Sequence, residues 1–355
     1  MKVSVMDLQH GDRLIQDTFN SVGLHILGKG AVIKAEDIAL LLRHQVEHVE
    51  IEERAPQPGG AAAEVDPAAE EAVRAEKTIK PRFDFTVQNY QSAFLNALVN
   101  GHFDSSRVDH AYAPMVDELA VHKDVVRLLL MLERDDVNNY THSIQVGTLS
   151  YYIASWLGYT KEECYQISKG GFLHDIGKCR VSLRIRYKEE SLTPQEWKEY
   201  QKHTVYGYDL IQNSNMDQTT ALIALQHHER EDGSGYPNGL VKQEIHPYAQ
   251  IVAVADEYVS MREKNDSDKP NNLIANLKEM YALSFGKLNE KPVHTLIQHL
   301  LPNFIGKKVH LSNGEQGTIV MNNLSDMFRP LVKVDSNVYR DLSKSRSLEI
   351  EEVLL

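Results

Sequence analysis

The sequence predicts a mainly α-helical protein: a central helical bundle flanked by a small amino-terminal α+β module, residues 1–54, and a small carboxy-terminal β-rich domain, residues 301–355. Between Phe83 and about Leu300, apolar residues recur at helical spacing, as Val146, Leu149, Ile153 and Leu157 do. After Pro302 the period falls to two, and Asn313-Gly314 stands between two alternating runs as a hairpin signal. Residues 55–82 are rich in Ala, Pro and Glu and hold no large apolar residue beyond scattered valines and Ile79, so they read as a linker with room for a helical part.

Taken in order, Lys2 to Met6 and His48 to Glu52 read as short strands, with glycine turns at Gly11, Gly23, Gly28 and Gly30 and an amphipathic stretch from Ala35 to Arg43. In the bundle, apolar stripes run through Val125 to Leu132, from Asn139, through Gln195 to Ile211, Thr219 to Gln226 and Ile251 to Met261. The carboxy-terminal strands are Lys308 to Leu311, Gly317 to Val320, Leu331 to Val334 and Leu348 to Leu355.

Composition narrows the function. A formal net charge of −12 argues against a duplex-DNA binder, which needs a basic stripe, yet leaves room for a small phosphodiester held by metals and local cations. Cys164 and Cys179 are too few for a disulfide framework and suit a reducing compartment, so the expected location is the cytoplasm. No stretch reaches the ~18 apolar residues of a membrane span. A homodimer or signalling partner engaged through residues 1–54 is compatible with a mobile input module.

The chemistry concentrates in two words, Gly171-Phe-Leu-His-Asp-Ile-Gly-Lys178 and His227-His-Glu-Arg-Glu-Asp-Gly-Ser-Gly-Tyr-Pro237. Imidazole and carboxylate suit iron, manganese, zinc or nickel, and a carboxylate can bridge two ions where a neutral imidazole cannot. Asp175 is the bridging candidate, His174 reaches one ion, and His227 with His228 reach another. His142, His203 and Asp256 are further candidates. A lone histidine is more often a satisfied polar residue than a ligand, whereas Asp256, after the apolar run Val252-Ala-Val-Ala, is expensive to bury without a partner.

Thr141-His142-Ser143, Phe172 to Lys178, His203 with Gly207, His227 to Gly239 and Val252 to Asp256 follow the order seen in the HD-GYP family, which the chain resembles from roughly Phe83 to Leu300. The resemblance implies an HD-superfamily bundle that hydrolyses cyclic di-GMP to linear pGpG, with further cleavage to GMP left open, using two divalent metal ions, iron or manganese ahead of zinc or nickel. By the same resemblance His142, His174, Asp175 and Asp256 bind one ion, and Asp175 bridges to a second held by His203, His227 and His228. A hydroxide between the ions would attack phosphorus. Asp175 and Lys178 are the catalytic candidates, Lys178 on the helical face of His174, four residues away, with its ammonium directed at a phosphate oxygen.

Tyr236 either stacks on a guanine or packs its own loop. Arg184, Arg186 and Lys188 form a basic cluster that suits a second phosphate or a guanine, or simply a solvated face. Some family members carry a glutamate ligand for a third metal four residues before the first histidine; here that position is Asn138, which predicts a dinuclear site. The family's Arg-Pro-Tyr contact after the last aspartate is replaced by Glu257 to Pro270, where Lys269, Arg262 and Lys264 compete for the nucleotide. A cyclic-dinucleotide sensor with weak turnover and a hydrolase of another phosphoester therefore stay as alternatives.

Overall fold

The computed structural model describes residues 2–5, 8, 12–19, 25–34, 37, 41, 44, 46, 48–52, 67–120, 122, 125, 128, 139–188, 191–263, 273–323, 326–335 and 338–354. The chain divides into two compact units, Met1–Pro67 and Ala68–Leu355. Among the described residues no helix is long and apolar enough to cross a membrane.

In the first unit β1 (Lys2–Ser4) pairs antiparallel with β4 (His48–Glu50), and β2 (Thr18–Phe19) with β3 (His25–Leu27). Val3, Val5, Leu14, Ile33, Leu41, Val49 and Ile51 form a core of their own. Of the amphipathic stretch Ala35 to Arg43 only Asp37 and Leu41 are described, both helical.

The second unit opens with α1 (Pro67–Asn100), which begins inside the stretch read as a linker. Its anchor is the series Ile79, Phe83, Val87, Tyr90, Phe94 and Ala97, all buried and spaced by three or four residues. There follow α2 (Ser105–Leu119), α3 (Asn139–Trp156) and α4 (Lys161–Leu173), the last started by a capping box between Thr160 and Glu163. Phe172 of α4 stacks on Tyr112 of α2 at 4.3 Å and meets Tyr90 of α1 edge-on at 4.7 Å, so an aromatic layer fixes the end of α4 that precedes His174.

A 3₁₀ helix, Ile176–Arg180, leads to α5 (Leu183–Arg186), α6 (Pro194–Gln201), α7 (His203–Asn213) and α8 (Gln218–Gln226). The stripe expected to run unbroken from Gln195 to Ile211 is thus two helices meeting at Lys202. The central helix α9 (Pro247–Glu263) buries Ile251 through Asp256 without a gap, as a helix enclosed on all sides must. Then come α10 (Leu273–Leu283) and α11 (Glu290–Leu300).

Five antiparallel strands close the unit: β5 (Lys308–Leu311), β6 (Gln316–Met321), β7 (Leu331–Asp335), β8 (Val338–Asp341) and β9 (Ile350–Leu354), ordered β8-β7-β6-β5-β9. Gly314, at φ 82°, makes the turn between β5 and β6 at the expected Asn-Gly. Strand β8 was not expected, because Val338-Tyr-Arg-Asp341 is largely exposed and carries no apolar alternation. Val309, Leu311, Ile319, Val332, Ile350 and Val353 join the same apolar core as the helices.

Candidate metal centre

The interior end of α4 and the 3₁₀ helix after it deliver the first word. His174 is the residue after α4, and its Nδ1 donates to the carbonyl of Gly171 at 2.6 Å, which leaves Nε2 facing inward. Asp175 follows at the start of the 3₁₀ helix, 2% exposed. The tight 3₁₀ turn is possible because residue 177 is glycine: a Cβ there would collide with the His203 carbonyl and the Gly207 amide, so the 3₁₀ helix lies directly against α7. The same turn changes how Lys178 arrives. It does not share a helix with His174 as its spacing suggested; it reaches back three residues to pair with Asp175 Oδ2 at 2.5 Å.

The other ligand candidates converge on Asp175 from four helices. His203 opens α7 and donates from Nδ1 to the Tyr200 carbonyl at 2.7 Å, with Nε2 3.5 Å from Asp175 Oδ1. His227, after α8, donates from Nδ1 to the Ala224 carbonyl at 2.9 Å and places Nε2 3.9 Å from the same oxygen. From α3, His142 Nε2 lies 3.1 Å from Asp256 Oδ1 and 3.9 Å from Asp175 Oδ2. His228 Nδ1 lies 3.6 Å from Asp256 Oδ2. Ligand atoms of Asp175, His203, His227 and His228 all fall within 4.8 Å of one another, as do those of His142, His174 and Asp175, and of His174, His227 and Asp256.

The residues fit metal ions. His174 Nε2 and Asp175 Oδ1 are buried without a hydrogen bond, a costly state unless a cation completes it, while Asp175 Oδ2 has the Lys178 ammonium beside it. The donors are nitrogen and oxygen throughout, a set that suits first-row divalent ions. Electrostatics agree. Burial opposes ionisation of Asp175, but His174 and Lys178 hold its carboxyl well below the usual range; Asp256 is held there by His142 and His174. Burial, with the neighbouring imidazoles, holds His227 and His228 well below the ordinary imidazole value, and burial pushes His203 down to about 4, so these rings are neutral and their lone pairs available. Burial would lower His142 too, yet Asp256 and Glu263 raise it to about 10.

A family profile described as HD domain matches residues 124–284. Residues 124–284 are an HD domain. The chain is 40% identical over 46% of its length to a cyclic di-GMP phosphodiesterase of Thermotoga maritima, covering 45% of that protein. It is 30% identical over 52% of its length to the 3'3'-cGAMP-specific phosphodiesterase 2 of Vibrio cholerae, covering 36% of that protein. The chain spans less than half the length of either relative. The solved structure of Bd1817, a HDG"Y"P protein from Bdellovibrio bacteriovorus, shares the fold, with a TM-score of 0.51 and 18% identity over 83% of this chain and 97% of that one.

Three neighbours of the ligand candidates escaped the sequence. Glu263, on the last turn of α9, accepts a hydrogen bond from His142 Nδ1 at 2.9 Å and so fixes which nitrogen faces the centre. Glu229, 2% exposed, accepts from the amides of Asn238 and Leu240 at 2.8 and 2.9 Å and ties the loop that follows the two histidines. Tyr200 lies beside the Lys178 ammonium, 5.4 Å from ring centroid to Nζ. A polar residue inside a helical stripe was the available signal for Glu263, and the word His-His-Glu for Glu229.

The expected nucleotide contacts separate. Tyr236 lies at the rim, its ring 4.7 Å from His228 and 6.2 Å from His203. Its loop folds over Gly235, where a Cβ would meet the backbone of His228, Glu229 and Arg230. Arg184 is exposed on α5. Lys188 is committed to Glu196 at 2.6 Å, and Arg186 donates to the Lys178 carbonyl at 3.0 Å, supporting the 3₁₀ helix. Arg262 is part of α9 rather than of a polar loop, and is 6% exposed. Asn138, Lys264, Lys269 and Pro270 lie outside the described residues.

Proposed function

We propose that the chain hydrolyses a cyclic dinucleotide, cyclic di-GMP, to its linear form at a dinuclear metal centre. The observation that carries this reading is the convergence of six further ligand candidates around Asp175, whose two oxygens face separate groups of imidazoles. His142, His174, Asp175 and Asp256 would hold one divalent ion, and Asp175, His203, His227 and His228 the other. Bound there, such ions supply Lewis acidity toward a phosphoryl oxygen and make hydroxide available near neutral pH.

The protein's own part is positioning. Asp175 offers one oxygen to each group and is kept ionised by Lys178. Burial opposes the charge on Lys178, but Asp175 holds its ammonium well above the usual lysine range, so it stays cationic beside the carboxylates and available to a phosphate oxygen. Glu229 clamps the loop that carries Tyr236 against His228. Likeness to the Thermotoga protein supports cyclic di-GMP, and likeness to the Vibrio protein supports a mixed cyclic dinucleotide as the second reading.

Purified protein loaded with iron or manganese is expected to open cyclic di-GMP to pGpG, followed by chromatography, with 3'3'-cGAMP run in parallel. Asp175→Ala is expected to abolish turnover, and hydrolysis that survives this change contradicts the mechanism. A faster rate on 3'3'-cGAMP moves the assignment to the second reading.

A further inference from the structure

An aromatic wall leads outward from the metal centre. Trp197 and Tyr200, three residues apart on α6, lie stacked with centroids 5.6 Å apart and planes 12° apart. Tyr200 meets His203 edge-on at 5.1 Å and faces the Lys178 ammonium. From the opposite side Tyr236, in contact with His228, meets Trp197 edge-on at 5.9 Å. Rings thus run in contact from two ligand histidines to Trp197, which is 44% exposed. A large indole left half in water, with one ring stacked on it and a second perpendicular to it, presents a flat surface beside the candidate centre.

Resting on the reading of this centre as a cyclic-dinucleotide phosphodiesterase, we infer that Trp197, backed by Tyr200, is the stacking platform for a purine base of the substrate. The order of groups matches the substrate's own. With the phosphate at Lys178, Tyr200 is the next ring outward, at the distance of a sugar, and Trp197 is one ring further out, at the distance of a base. Every base has a π face, so the platform strengthens binding without choosing guanine over adenine. Discrimination between cyclic di-GMP and a mixed dinucleotide must therefore come from other groups.

The chain has two tryptophans, and the other, Trp156, stacks on His299 at 4.3 Å on a different helix. Trp156→Phe keeps a ring there and leaves Trp197 as the sole indole. In this metal-loaded protein, pGpG and a non-hydrolysable phosphorothioate cyclic dinucleotide are expected to quench Trp197 emission saturably. In the otherwise natural chain, Trp197→Ala is expected to weaken both ligands on the order of 10- to 100-fold by calorimetry, with metal content unchanged and KM rising more than kcat falls. Trp197→Phe is expected to recover most of the loss. Cyclic di-GMP and 3'3'-cGAMP should suffer by the same factor. Ligand binding that leaves Trp197 emission unchanged, or that Trp197→Ala does not weaken, overturns the platform alone; failure of any cyclic dinucleotide to bind overturns the platform and the functional reading together.

Discussion

Glu263 shows how much of the centre depends on a residue that need not touch an ion. Its carboxylate accepts a hydrogen bond from His142 Nδ1–H, which orients the ring and makes the opposite nitrogen more basic. Glu263→Gln can keep one hydrogen bond but loses the charge. It is expected to lower metal affinity about 10- to 100-fold, read by competition with a chromogenic chelator, while circular dichroism stays unchanged. Affinity equal to that of the natural chain would make Glu263 a bystander. The candidate ligands themselves were legible as words, because His174-Asp175 and His227-His228 are adjacent in sequence. Glu263 was not, since it stands 121 positions from His142 and only the crossing of α3 and α9 brings them together. Lys178 was legible as a cation near the site but not in its route, because a 3₁₀ turn replaces the helix its spacing suggested.

Helix α6 carries the aromatic wall and depends on its first turn. Thr193 accepts from the Glu196 amide at 3.3 Å, and Glu196 accepts in return from the Thr193 amide at 2.8 Å and from Lys188 at 2.6 Å. The Lys188 contact and the Thr193 amide lower Glu196 from 4.5 to about 2. A carboxyl whose folded value lies below its unfolded one stabilises the fold fully above the unfolded value and loses that contribution as pH falls through the folded one. The cap is therefore intact at neutral pH and released between about 4.5 and about 2. In the Trp156→Phe chain, Trp197 emission is expected to shift across that window, and Glu196→Gln to flatten the shift. Thr193→Ala is expected to cost about 1 kcal/mol in denaturant unfolding. Helices with strong stripes, such as the one from Asn139, were legible; β8 and the break at Lys202 were not, because exposed strands and helix junctions leave no apolar period to read.

At the scale of the whole molecule, the two compact units keep separate cores, and the carboxy-terminal sheet belongs to the larger one. The sequence pointed to a β-rich segment after Pro302 through its Asn-Gly turn and alternating runs, but alternation cannot tell what the inner face packs on. That face completes the helical core: Val309, Leu311, Ile319, Val332 and Val353 are buried in one cluster with Leu277 and Leu300. Deleting residues 301–355 is expected to lower the melting temperature and make the truncated protein bind a hydrophobic dye, because it uncovers apolar surface on α10 and α11. A truncated protein as stable as the full chain would mean that the helices close without the sheet. The clamp at Glu229 has a consequence for any attempt to retune the substrate. His228 faces the candidate metal centre and the very next side chain holds the Asn238 and Leu240 amides, so rim and centre share one peptide. They are mechanically a single part: a graft that exchanges the Tyr236 loop for another inherits the burden of recentring the imidazole beneath it.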